Sequence, residues 1–158
     1  MNEVCGRWMA QYAADHRHPM NQLTHKLAIP VIVFHVMAML HWVKLGPVLA
    51  VGGADVALSL GHLGWVAVSW VYAWLFPRLA PLMAAAFGLC VVVSAWTPTW
   101  LVVALAVVGW TVQLAGHAVF ERNRPSFLTN MVQALVGPLF FAAVLTGAYR
   151  PEAAAAAR

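Results

Sequence analysis

The stretch His16-Arg17-His18-Pro19-Met20-Asn21-Gln22-Leu23-Thr24-His25 runs through Lys26 into an apolar segment, about Leu27 to Leu45, broken only by His35, His41 and Lys44. A helix needs roughly twenty apolar residues to cross a hydrocarbon core about 30 Å thick. The segment therefore reads as a membrane-spanning helix that carries a dense set of metal-ligating side chains at its start. Pro19 fits a first helical position after His18. His18, Asn21 and His25, at i, i+3 and i+7, then share one helical face.

Upstream of this junction, Val4, Trp8 and Tyr12 recur at i, i+4 and i+8, with Arg7, Gln11 and Asp15 off the stripe. That pattern predicts a short amphipathic helix lying at the membrane interface, with His16 continuing its apolar face. Downstream, Gly46-Pro47 and Gly52-Gly53-Ala54-Asp55 mark a loop. Further spans are expected near 56–76, 79–96 and 100–120, and Asn130, Gln133 and Pro138 make 127–147 a broken or partial span. The expectation is an all-α integral membrane protein, a bundle of four to five transmembrane helices. Residues 1–150 form its single membrane domain, and the Ala-rich tail 151–158 is read as disordered for want of a core-forming pattern.

Composition agrees: 63% of the 158 residues are hydrophobic and 9% charged, far from the soluble average. The net charge of +4 does not indicate nucleic acid, because the basic residues are spread singly between apolar runs. They act instead as topology signals. Arg7, Arg17 and Lys26 precede the first span, Arg78 follows the second, and Arg122 and Arg124 follow the fourth, which puts the N-terminus and those connections in the cytoplasm. The His16–His25 stretch and the His117–Glu121 end then meet on one membrane face. No apolar h-region precedes His16, so no cleavable signal peptide is expected, and Cys5 and Cys90 are not expected to pair.

Gln113, His117 and Glu121, at i, i+4 and i+8, stack along one helical face. Ionisable groups at a span are costly and therefore functional by default. Imidazoles with a carboxylate suit Fe(II), Zn, Ni or Cu. Plainer readings compete. His18 beside Pro19 also suits a helix cap, Glu121 with Arg122 or Arg124 suits an interfacial ion pair, and His35, His41 and His62 suit interhelical hydrogen bonds.

Two motifs carry a family resemblance. They are Tyr12-x3-His16-x-His18-Pro19-x-Asn21-x3-His25-x4-Pro30 and Gln113-x2-Gly116-His117-x3-Glu121-x3-Pro125-x4-Asn130-x2-Gln133-Ala134-Leu135-x2-Pro138-Leu139-Phe140. Together they resemble the 2-hydroxy fatty acid dioxygenases, small multi-pass membrane enzymes of fatty acid α-oxidation found in the endoplasmic reticulum of fungi. The resemblance implies an Fe(II)-dependent enzyme that takes a 2-hydroxy long-chain fatty acid and O2 and returns an acid one carbon shorter. It implies metal ligands His16, His25 and His117, with His18, at a position where relatives differ, or Glu121 as a further ligand, and Asn21 and Glu121 in supporting catalytic roles. Arg122, Arg124, Gln113 and Asn130 are the expected substrate contacts, and the acyl chain would lie between the spans. The short, Ala- and Trp-rich chain suggests a bacterial inner membrane.

Two rivals define what the structure must decide. Di-iron hydroxylases and desaturases carry HxxHH boxes, and no such box occurs here. A non-enzymatic metal or small-solute transporter, or a lipid-binding membrane protein, predicts a polar path linking His35, His41 and His62 to the inner cluster, whereas an enzyme predicts a one-sided pocket.

Overall fold

A computed structural model of the chain describes residues 1–122, 125–128 and 130–150, with the backbone alone for 54–56 and 126. Six helices account for most of it: α1 (Glu3–Asp15), α2 (Pro19–Trp42), α3 (Leu60–Leu75), α4 (Ala80–Ser94), α5 (Thr99–Gly116) and α6 (Val132–Leu145). A π-helical segment, His117–Glu121, continues α5, and a 3-10 turn, Ser126–Leu128, precedes α6. The expected all-α class holds, with one addition. The loop read at 46–55 contains a hairpin, β1 (Leu49–Val51) paired antiparallel with β2 (Ala54–Val56). Gly52 (φ 57°) and Gly53 (φ 79°) both take positive φ, which a two-residue primed turn requires and glycine supplies without strain.

α2 is the organising element and packs on α3, α4, α5 and α6. α2 and the combined α5–π helix (Thr99–Glu121) are long and apolar enough to cross a membrane, while α4 and α6 are shorter apolar helices. At 16 and 15 residues, α3 and α4 reach only ~24 and ~22 Å, short of a ~30 Å core, so among the described residues two helices have the length to cross, against an expectation of four to five spans. Only 28% of each long apolar window is buried within the protein, so neither is the enclosed core helix of a globular domain.

α1 departs from its predicted facing. The buried stripe is Cys5, Met9 and Tyr12, while Val4 and Trp8 are half-buried. α1 packs on α6, and its start is tied to the end of α3: the Asn2 backbone N–H donates to the Leu75 carbonyl (3.0 Å) and its side-chain amide to the Trp74 carbonyl (2.9 Å). These bonds bring the start of the chain and the end of α3 together.

Candidate metal centre

His16, His25 and His117 converge at the other end of α1. All three are buried, with 3%, 0% and 1% of their surface exposed. Their ring centroids form a near-equilateral triangle of 4.7, 4.7 and 4.9 Å, and one ligand nitrogen from each lies within 4.8 Å of the others. His25 Nε2 faces His117 Nε2 at 3.0 Å.

The backbone orients two of these rings. His16 Nδ1 lies 2.7 Å from the Tyr12 carbonyl and His25 Nδ1 lies 2.8 Å from the Asn21 carbonyl, each four residues upstream. A carbonyl only accepts, so both Nδ1 atoms carry the proton and both Nε2 atoms keep a lone pair. His16 is also stacked on Tyr12 at 3.9 Å and 13°. Burial pulls the pKa of His16 down to about 4, which outweighs the bond to Tyr12, so the ring is neutral at pH 7. Three buried imidazoles, two with their tautomer fixed from behind, are a donor set that can hold a metal ion.

Close helix approach makes the convergence possible. A Cβ on Gly116 would lie 2.4 Å from Thr24 Oγ1 and 2.6 Å from Asn21 Oδ1, so only glycine lets α5 seat against α2 here. A Cβ on Gly137 would lie 3.2 Å from the Tyr12 hydroxyl and from Ile29 Cδ1, a tighter contact than most side chains make, so glycine also eases the approach of α6. After Gly116 the chain widens into the π segment, a form often found at functional sites. His117 enters the trio, and Glu121 turns to the start of α2. Glu121 Oε1 accepts from the His18 backbone N–H (2.8 Å) and from Asn21 Nδ2 (3.3 Å). Glu121 and Asn21 thus clamp the two elements that carry His25 and His117.

Other expected residues fall elsewhere. His18 does not join the trio: it is exposed, its Nδ1 accepts from the Met20 N–H at 3.2 Å, and its ring stacks on Phe120. It occupies the N-cap with extended backbone (φ −72°, ψ 126°), so the helical face it was to share with Asn21 and His25 begins only after it. Asn130 Oδ1 accepts from the Val132 N–H at the start of α6. Arg122 is exposed at the end of the π segment, and Arg124 and the tail 151–158 lie outside the described residues. Gln113 is buried and lines a cavity of about 70 Å³ with Tyr12, His16, His117 and Gln133. A second, apolar cavity of about 330 Å³ runs between α2, α4 and α6, with His25 and Lys26 in its wall beside Phe87, Cys90 and Phe141.

The remaining histidines are engaged elsewhere. His35 Nδ1 lies 3.1 Å from the Val31 carbonyl, and its Nε2 accepts from the Trp110 indole N–H at 3.1 Å. His41 and His62 both contact Ser59 Oγ, at 2.8 and 2.9 Å, and Lys44 Nζ lies 2.9 Å from His41 Nε2. They join the end of α2 to the start of α3, sixteen residues or ~24 Å along α2 from His25.

Fold and site together define a helical-bundle protein with a buried three-histidine centre able to hold a metal ion. The chain belongs to the Mpo1-like family: the family model described as 2-hydroxy-palmitic acid dioxygenase Mpo1-like matches residues 3–149. It is similar to the 2-hydroxy-palmitic acid dioxygenase MPO1 of Saccharomyces cerevisiae, 31% identical over 134 residues, covering 82% of this chain and 72% of the relative. No solved structure matches.

Proposed function

We propose that the protein is an Fe(II)-dependent dioxygenase that cleaves C1–C2 of a 2-hydroxy long-chain fatty acid to leave an acid one carbon shorter. The observation that carries this reading is the buried His16–His25–His117 triangle, in a chain of a 2-hydroxy-palmitic acid dioxygenase family. These three residues would hold the iron, and bound iron supplies Lewis-acid and redox chemistry toward O2. Every other part is the chain's own. The Tyr12 and Asn21 carbonyls fix ring orientation, and Glu121 and Asn21 hold α2 against the π segment. The apolar cavity beside His25 accommodates part of an acyl chain; its ~330 Å³ is at the lower end for ligand sites. Arg122, and Arg124 beyond it, offer positive charge to the carboxylate.

The apolar outer faces favour a membrane setting, because Trp70, Trp100 and Val107 are 79%, 70% and 63% exposed, more apolar surface than water tolerates on a monomer. With the N-terminus cytoplasmic, the centre lies on the cytoplasmic side. The transporter reading is weaker, since His35 engages both nitrogens with Val31 and Trp110 and has none to relay an ion. The test is to incubate the purified protein, loaded with Fe(II), with 2-hydroxyhexadecanoic acid in the presence and absence of O2. The expected product is the acid one carbon shorter, formed only with both iron and O2. Full activity in His117→Ala would overturn the assignment.

A further inference from the structure

Gln133 is 2% exposed, and neither its Nε2 nor its Oε1 has a hydrogen-bond partner among the described residues. Gln113, 5% exposed, leaves its Oε1 unpaired in the same way. Both line the ~70 Å³ cavity walled by His16, His117, Tyr12 and Trp110. Buried amides are costly without partners, and apolar residues of similar shape would serve packing better. Two such amides around one small cavity, on the wall of the histidine centre, are therefore a recognition feature rather than a core feature. The cavity holds several water-sized groups. It suits a compact polar head and is too small for a long chain. It shares Ile29, Val33 and Pro138 with the larger apolar cavity, so a head in one and a tail in the other are neighbours.

We propose that Gln133, assisted by Gln113, binds the hydroxy-carboxylate head of the substrate and lets the site distinguish a 2-hydroxy acid from the unhydroxylated acid of equal length. The inference rests on the substrate reading above and adds the residues that enforce it. A carboxylate only accepts hydrogen bonds, whereas a 2-hydroxyl also donates one. The Gln133 amide N–H donates to the carboxylate, and the Gln133 and Gln113 amide oxygens compete for the hydroxyl proton. An unhydroxylated acid has no such proton and leaves both amide oxygens buried and unpaired. Sites built to hydrogen-bond a substrate hydroxyl reject the analogue lacking it far more strongly than apolar pockets can.

The test compares wild type, Gln133→Leu and Gln113→Leu as full chains in detergent, loaded with Fe(II) and kept anaerobic. It reads affinity for 2-hydroxyhexadecanoic and hexadecanoic acids, iron content and thermal midpoint. Wild type is expected to favour the hydroxy acid by at least ~100-fold. Gln133→Leu is expected to keep its iron, to unfold no earlier than wild type because an unpaired amide has gone, and to lose nearly all of the preference. Gln113→Leu loses part of it. An unchanged preference in Gln133→Leu overturns the role of Gln133, and so does a lowered midpoint, which marks a packing residue. A wild type without preference overturns the substrate reading itself, independently of either glutamine.

Discussion

His25 and His35 lie on the same helix, 0% and 2% exposed, and each holds its Nδ1 against the carbonyl four residues upstream, at 2.8 and 3.1 Å. They differ in what meets Nε2. His35 accepts from the indole N–H of Trp110, a group that only donates, and its lone pair is consumed. His25 Nε2 faces His117 Nε2 at 3.0 Å with His16 alongside, so its partner is a second imidazole that can itself ligate a metal ion. Burial and backbone orientation alone do not make a ligand. The chemistry is decided by whether the second nitrogen meets a group that only donates or another side chain able to ligate a metal.

The largest way to break this contrast is to remove one member of the trio. His117→Ala should reduce bound iron and O2-dependent turnover to background, read by metal analysis and product formation. Next comes the contact that brings the helices together. Gly116→Ala drives a methyl into Thr24 Oγ1 and Asn21 Oδ1, and it should cost about 1–3 kcal/mol in thermal or denaturant unfolding and weaken iron binding. Trp110→Phe releases His35 Nε2 without supplying a second imidazole. It should cost about 1 kcal/mol of stability and leave iron content unchanged. Smallest is His18→Asn, which keeps an N-cap acceptor: a stability change within a few tenths of a kcal/mol, and iron retained.

Much of the site was legible because helical spacing and charge bias are strong signals. His16, His25 and His117 could be brought together from the expectation that two distant segments end on one membrane face, and the hydrogen bonds that Glu121 accepts from His18 and Asn21 join those segments. His18 takes the helix-cap role that its place before Pro19 suggested; the shared face with Asn21 and His25 fails for it because a cap residue leaves helical dihedrals and the 3.6-residue period does not apply. The hairpin escaped because strands of three residues are too short to show alternation, although Gly52-Gly53 between apolar neighbours was its available signal. The π segment and the fit of Gly116 against α2 depend on tertiary approach and leave little local trace. Gln133 was visible as a polar residue interrupting an apolar helix. Its unpaired amide and its cavity were not, because both depend on what α1, α2 and α5 place opposite it.

The most direct measurement is the iron content of wild type, His25→Ala and His35→Ala, each loaded anaerobically with Fe(II) and desalted. The three-histidine account predicts bound iron in wild type and His35→Ala and none above background in His25→Ala. Iron retained by His25→Ala, or lost by His35→Ala while the fold persists, would contradict it.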